Sequence, residues 1–427
     1  MKYKIVFCLF LQVYFVATCL KAQDEPAFPY INMVYVPNIK SVQVTVLGVA
    51  LSDPVIQLNS VSQFELSFDD LDADVKRYDY SLELCNWDWT PSDLSTFDYL
   101  QGFTSQRITN FQHSFNTGQP YTHYWVDFPN SDLQVKKTGN YLLKVFNDND
   151  ADHPVITWRV LFYESKMGVL AEVARPYDPV YSDEFQQINY TVQFNGVPVT
   201  NPVNEVHTLV LQNFRWDNAI TLPPLFIQPT QLDYHYQKEN LFPAGKEFRH
   251  FDIRSIRFLT ERIKSVNTDN GNVVTLMEDT SRAHARYFYE KDINGKYVIG
   301  YQEGNNPDVG ADYAYVNFFM PFSPPLEGGH PLVFGALTNW GLDSQCVMQY
   351  DALRHGYTAQ LYLKQGYYDY YFAWMDQQKP FFDFEEFEGN WFETENNYMI
   401  LVYYRPAGER YDQLIGLRTI NSLLNAR

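Results

Sequence analysis

Between residues 42 and 162 the chain is a succession of short runs, several with alternating apolar and polar side chains, separated by clusters of Asp, Pro, Asn and Gly. The runs fall at 42–47, 55–58, 64–68, 78–85, 124–128, 141–146 and 155–162. In the third, Phe64, Leu66 and Phe68 alternate with Glu65 and Ser67, the period-two signature of a strand with one buried and one wet face. Asp69, Asp70, Asp72 and Asp74 are expected to end it, because carboxylates favour local turn hydrogen bonds over a ladder. The aromatic-rich run that follows stops at Thr90-Pro91-Ser92-Asp93, where proline removes a ladder donor. Seven strands with such turns between them predict a β-sandwich of the immunoglobulin or fibronectin type, ending near Glu164. Tyr, Phe and Trp make up 17% of the chain, and such residues favour strands and broad flat contacts.

The pattern continues downstream. Residues 188–194 alternate toward Asn195-Gly196, and 197–199 resume the apolar run, which predicts a hairpin. Further strands are expected at 206–212, 248–258, 273–277, 285–289, 297–301 and 313–319. The run SPPLEGG at 323–329 is expected to link a second β domain to a third. The fold class is therefore all-β, with tandem immunoglobulin- or fibronectin-like sandwiches over 23–165, 166–322 and 323–427. At the end, 409–427 fits either a last strand or a short helix with Leu414, Leu417, Ile420 and Leu424 on one stripe.

Residues 1–22 read as a secretory signal peptide: Lys2 and Lys4, an apolar run, then Leu20-Lys21-Ala22. A lipid anchor at Cys19 is the other reading, with Thr18 an unusual neighbour for it. Cleavage leaves Cys85 and Cys346, which are expected as separate buried thiols, because a bridge needs Cα atoms within about 7 Å and the two lie in different expected domains. The net charge of −19 argues against nucleic acid and anionic lipid as partners.

Several clusters have two readings. The acidic sets Asp69–Asp74 and Asp148, Asp150 and Asp152 fit either turns between strands or oxygen ligands for calcium, with turns favoured because neither has an EF-hand pattern. Trp87 and Trp89 are either a contact surface or pins holding a loop on its sandwich. The run FFDFEEFEGNWFETE at 381–395 reads as a protected edge strand, or as an acidic patch in which Glu385, Glu386 and Glu388 meet a basic partner. No GxSxG, HExxH, phosphate-cradling loop or clustered Cys and His set occurs, so no catalytic residue, metal site or cofactor is expected.

The motifs SFDDLDAD, LCNWDWTPSDL, YLQGF, SFNTGQPYTHY, FPN and TGNYLLKV occur in that order between Ser67 and Val145. Together they resemble the plug proteins of the bacterial type IX secretion system. The resemblance implies a non-enzymatic, monomeric periplasmic protein. Such a protein docks on the outer-membrane translocon barrel and seals its periplasmic opening. The stretch PLVFGALTNWGLDSQCVMQYD, with YTAQLYLKQGYYDYYFAW after it, is similar to the early-set sandwich of glycogen-binding modules. That likeness places Trp340 where a sugar-stacking ring would stand and implies the alternative function, carbohydrate binding. Such sites carry a second tryptophan on a following loop with lysine and asparagine partners, whereas here MDQQKP at 375–380 leads into an acidic strand, so Trp340 as a packing residue is the favoured reading.

Overall fold

The computed structural model describes residues 28–148, 150–269, 271–377 and 382–424. The expected signal peptide and Cys19 lie outside them, as do Asn149 and Phe381. The regular structure of the described residues is almost wholly strand, as the fold class requires.

The first sandwich faces two sheets. One orders Ile39–Val46, Phe64–Asp70, Thr122–Phe128 and Asn110–His113. The other runs Met33–Val34, Pro154–Tyr163, Gly139–Asn147, Tyr78–Cys85 and Ser105–Arg107, with Val55–Gln57 paired in parallel to Pro154–Tyr163. Phe64, Leu66 and Phe68 point inward onto Tyr78, Tyr80, Tyr141, Leu143 and Phe162. Tyr78 stands edge-on to Phe68 and Tyr124, with ring centroids 5.2 and 5.0 Å apart. Each such ring, once buried, contributes about 1.5–3 kcal/mol. The strand starting at Phe64 does not stop before the aspartates. Asp69 and Asp70 are its last two residues, and both are buried. The partners of Asp69 come from distant segments, so its local preference for turns is overridden, whereas Asp70 keeps a local turn bond from the Asp72 N–H at 3.1 Å.

The second sheet of this sandwich is buried on both faces. Tyr141, Leu143 and Val145 enter the first core, while Leu142, Leu161 and Cys85 face a three-stranded sheet made of Val206–Gln212, Asn397–Tyr404 and Gln413–Asn421. That sheet is also apolar on both sides. Leu209, Leu211, Met399, Leu401 and Tyr403 meet the first sandwich, whereas Val206, Val210, Tyr398, Ile400 and Val402 meet a further sheet that includes Gly168–Ala174 and Phe185–Gln193. Four sheets are thus stacked. A strand covered on both faces is apolar throughout, which is why YMILVYY shows no alternation.

The expected boundary at 322/323 does not divide the strands. Val206–Gln212 pairs along its whole length with Asn397–Tyr404, and Tyr313–Pro321 pairs with Gly356–Lys364. Residues between Lys246 and Thr394 form a separate sandwich inserted into the second one. Its sheets include Tyr313–Pro321 with Gly356–Lys364, and Gly366–Asp376 with Arg249–Asp252 and Gly329–Phe334. The run SPPLEGG is a turn between strands of that sandwich. Proline and glycine punctuate turns and domain boundaries alike, so composition did not separate them.

Three smaller expectations are also corrected. Asn195 and Gly196 do turn with positive φ, but 197–199 is not a strand, because Gln231–Asp233 pairs with Thr191–Gln193 instead. The strand expected at 248–258 is only Arg249–Asp252, and 285–289 is irregular. The tail is a strand, Gln413–Asn421.

Candidate functional site

The three packed units meet at junctions made from side chains of very different kinds. Asp69, at the end of its strand, accepts hydrogen bonds from Lys364 Nζ at 2.6 Å, Tyr313 Oη at 2.6 Å and His123 Nδ1 at 2.7 Å. Asp69 and Lys364 are almost wholly buried, with side chains 0% and 2% exposed. Burial draws the Lys364 ammonium below the ordinary lysine range, and the Asp69 charge opposes that shift. Lys364 also donates to the Asp308 carbonyl at 2.7 Å and stands 4.2 Å from the Tyr121 ring. Nearby, Asp312 accepts the backbone N–H groups of Gly118 and Gln119 at 2.7 and 3.1 Å. The cation beside Asp69 is therefore the protein's own. Asp70 is similarly engaged, by Lys76 at 2.9 Å, Asn38 at 2.8 Å and Tyr78 at 2.9 Å. The turn reading fails for Asp69, whereas Asp70 ends its strand and also accepts the Asp72 N–H at 3.1 Å; protein donors occupy both carboxylates.

Trp87 and Trp89 lie at the junction with the stacked sheet. Trp87 stacks on His207 at 4.7 Å and 10°. Trp89 is buried and stands edge-on to Trp216 at 5.0 Å, with the Arg159 guanidinium 4.4 and 5.0 Å from the two rings. Burial lowers Arg159 to about 10. These rings join the first sandwich to the second. As a contact surface for another protein Trp89 is excluded by its burial.

The run after Asp383 is a turn, not an extended strand. Phe384, Phe387 and Glu388 are buried in it, and Glu385 and Glu386 are exposed. Glu388 accepts from Arg249 Nε at 2.9 Å, Arg282 Nε at 2.8 Å and the Phe372 N–H at 2.9 Å. Burial alone would raise its carboxyl, but Arg249 and Arg282 outweigh it and hold the group below the usual range. Glu388 is thus a core ion-pair partner, which corrects its expected role, while Glu385 and Glu386 remain open to a partner. Trp340 packs on Phe334 at 5.5 Å and Phe248 at 6.4 Å, under the Arg215 guanidinium at 5.8 Å. A Cβ on Gly295 would meet its ring at 2.6 Å. With neighbours on its edges and a guanidinium over its face, the ring acts in packing.

Cys85 and Cys346 are free and buried, and burial pushes the Cys346 thiol up to about 12. Neither is primed as a nucleophile.

A family model for the type 9 secretion system plug protein 1st domain matches residues 39–164. The solved structure of a hypothetical protein from Parabacteroides merdae aligns with a TM-score of 0.89 at 34% identity, covering 92% of this chain and 100% of that one. This chain belongs to the type 9 secretion system plug family. No curated protein matches it. A structure from Corynebacterium diphtheriae covers 89% of this chain and 91% of that one at 9% identity, with a TM-score of 0.14, and carries no argument.

The matched first domain of the plug is the sandwich whose two flanks carry the Asp69 and Trp89 junctions. Sequence reasoning missed Lys364 and Tyr313 as the partners of Asp69. The signal was present in YTAQLYLKQGYYDYYF, where a lone lysine sits in an otherwise aromatic and aliphatic pair of strands. A charge there requires a buried counter-charge, but the sequence does not say which carboxylate supplies it. No described helix of the plug is long and apolar enough to cross a membrane.

Proposed function

We propose that this plug works in the periplasm by docking on the barrel of the type IX translocon and closing its periplasmic opening, without chemistry. The observation that carries the reading is the joining of the family's first domain to the other two units through buried contacts on both flanks. Asp69 reaches Lys364 and Tyr313 on one side, and Leu142 and Leu161 reach Leu401 and Leu211 on the other. A stopper has to resist deformation, and sandwiches tied in this way move together. Release during export requires a separable interface, so the contact is polar and wet rather than obligate and apolar. Glu385 and Glu386 offer exposed carboxylates for it, and the net charge of −19 favours a basic surface opposite.

The test is a pull-down from solubilised outer membranes, with a permeability assay in cells lacking the protein. Recovery of the barrel with the plug, together with entry of large antibiotics into the deletion strain, is expected. An intact barrier in that strain would overturn the proposal. So would copurification with the barrel that persists unchanged between resting and exporting states.

A further inference from the structure

On the strand Arg249–Asp252, Arg249 and Phe251 point inward, Phe251 to the apolar core and Arg249 to the Glu388 and Asp279 pair, so His250 takes the other face, directly across from Asp369 on Gly366–Asp376. Its ring stacks on Tyr367 at 5.4 Å and 21° and is only 8% exposed. Nδ1 is buried with no hydrogen-bond partner. That is costly for a polar atom in native structure unless something occupies the space beside it. One carboxylate stands near each ring nitrogen. Glu261 Oε1 lies 3.4 Å from Nε2 and Glu290 Oε1 lies 4.0 Å from Nδ1. One donor atom from each of the three residues falls within 4.8 Å of the others.

We propose that His250, Glu261 and Glu290 form a binding site for a borderline divalent cation of the zinc class. Such an ion binds imidazole nitrogen and carboxylate oxygen tetrahedrally at about 2.0–2.2 Å, so ligand atoms around it lie roughly 3.4 Å from one another. The present spacing of up to 4.8 Å needs a closure of roughly an ångström. Glu261 and Glu290 are 65% and 47% exposed on irregular segments and can supply it, while the buried imidazole stays fixed. A neutral imidazole and two carboxylates balance the charge of a divalent ion. The nitrogen donor disfavours calcium and magnesium, which prefer all-oxygen sets. The nearby Arg254 guanidinium does not compete for the site, because it is engaged by both oxygens of Asp252. An ion here would fasten two stretches without regular structure, the one bearing Glu261 and the one between Leu276 and Tyr297 bearing Glu290, to a core strand. Three protein donors leave a fourth position for water or a group from a partner.

The experiment is calorimetric titration of chelator-stripped, full-length mature protein with zinc chloride, with calcium and magnesium chloride as comparisons, and the absorption spectrum of the cobalt-loaded protein. Saturable binding of one zinc ion, a rise in Tm and a cobalt d–d band are expected, with calcium and magnesium far weaker. The Glu261→Gln, Glu290→Gln double variant alters only exposed groups, so it keeps the fold while losing more than about tenfold in zinc affinity. His250→Ala is expected to abolish the cobalt band. Absence of saturable zinc binding by the wild-type protein would overturn the proposal, as would binding that the double variant leaves unchanged.

Discussion

On one flank of the first sandwich, a buried lysine, a histidine and a tyrosine converge on Asp69, whereas on the other Leu142, Leu161 and Cys85 lie against Leu211, Leu401 and Tyr403. Both junctions exclude water, but they constrain the molecule differently. Apolar contact is non-directional and rewards any arrangement that buries the same area. The Asp69 junction works in one orientation only, since displacement of Lys364 leaves a carboxylate stranded in a low-dielectric interior. The mainly apolar flank, which also holds Arg159 and a 2.8 Å bond from Tyr403 Oη to Asn140, therefore supplies most of the adhesion, and the charged flank fixes how the inserted sandwich sits. A third junction, where the chain crosses between the second and inserted sandwiches, is polar. Thr394 Oγ1 donates to the Gly245 carbonyl at 2.8 Å and Asn396 Nδ2 to the Ala244 carbonyl at 2.8 Å.

The largest expected effect tests the charged flank. Lys364→Ala leaves Asp69 buried without its cation and should cost about 3–5 kcal/mol in urea unfolding. Adding Asp69→Asn to Lys364→Met should recover most of that loss, because no uncompensated charge remains. A single-variant cost below about 1 kcal/mol, the range of an exposed pair, would break the comparison.

On the apolar flank, Leu211→Ala should cost about 3 kcal/mol through lost burial and a residual cavity. Unlike the lysine variant, its penalty should show little dependence on pH between neutral and mildly acidic buffers.

Glu247 sharpens the picture at the crossover. Burial raises its carboxyl to about 7, against hydrogen bonds from Tyr287 Oη and the Glu395 N–H that act to lower it. A raised carboxyl binds its proton more tightly in the folded state. The stability this contributes is complete below about 4.5 and is lost as pH climbs to about 7. Glu247→Gln should therefore raise stability at pH 8, on the order of 2 kcal/mol, with little change at pH 5. Thermal melts at the two pH values check the sign, and an equal effect at both would refute the assignment.

The smallest effect is expected at Glu385 and Glu386. Reversing both to lysine should leave unfolding within about 0.5 kcal/mol of wild type, as for surface positions generally. Association with the barrel at low salt should fall, and an unaltered pull-down would remove these two residues from the interface.

Much of the fold was legible locally. The alternation in Phe64, Leu66 and Phe68, the strand Tyr78–Cys85 and the strand Val206–Gln212 follow from periods and turn residues within a few positions. Asp69 was not, because only the distant Lys364 and Tyr313 make its buried carboxylate tolerable in a strand. Nor was the role of Glu388, which looks like its exposed neighbours Glu385 and Glu386 until Arg249 and Arg282 are brought beside it.

By itself the sequence determined the all-β character of the chain, the position of many strands and, through the ordered motifs of its first third, the family. Tertiary structure alone decided that one sandwich is inserted within another and which carboxylate each buried cation meets. Side-chain periodicity is a property of neighbours along the chain, whereas strand pairing and ion pairing across some two to three hundred residues depend on which surfaces close against each other, as Val206 against Tyr404 and Asp69 against Lys364.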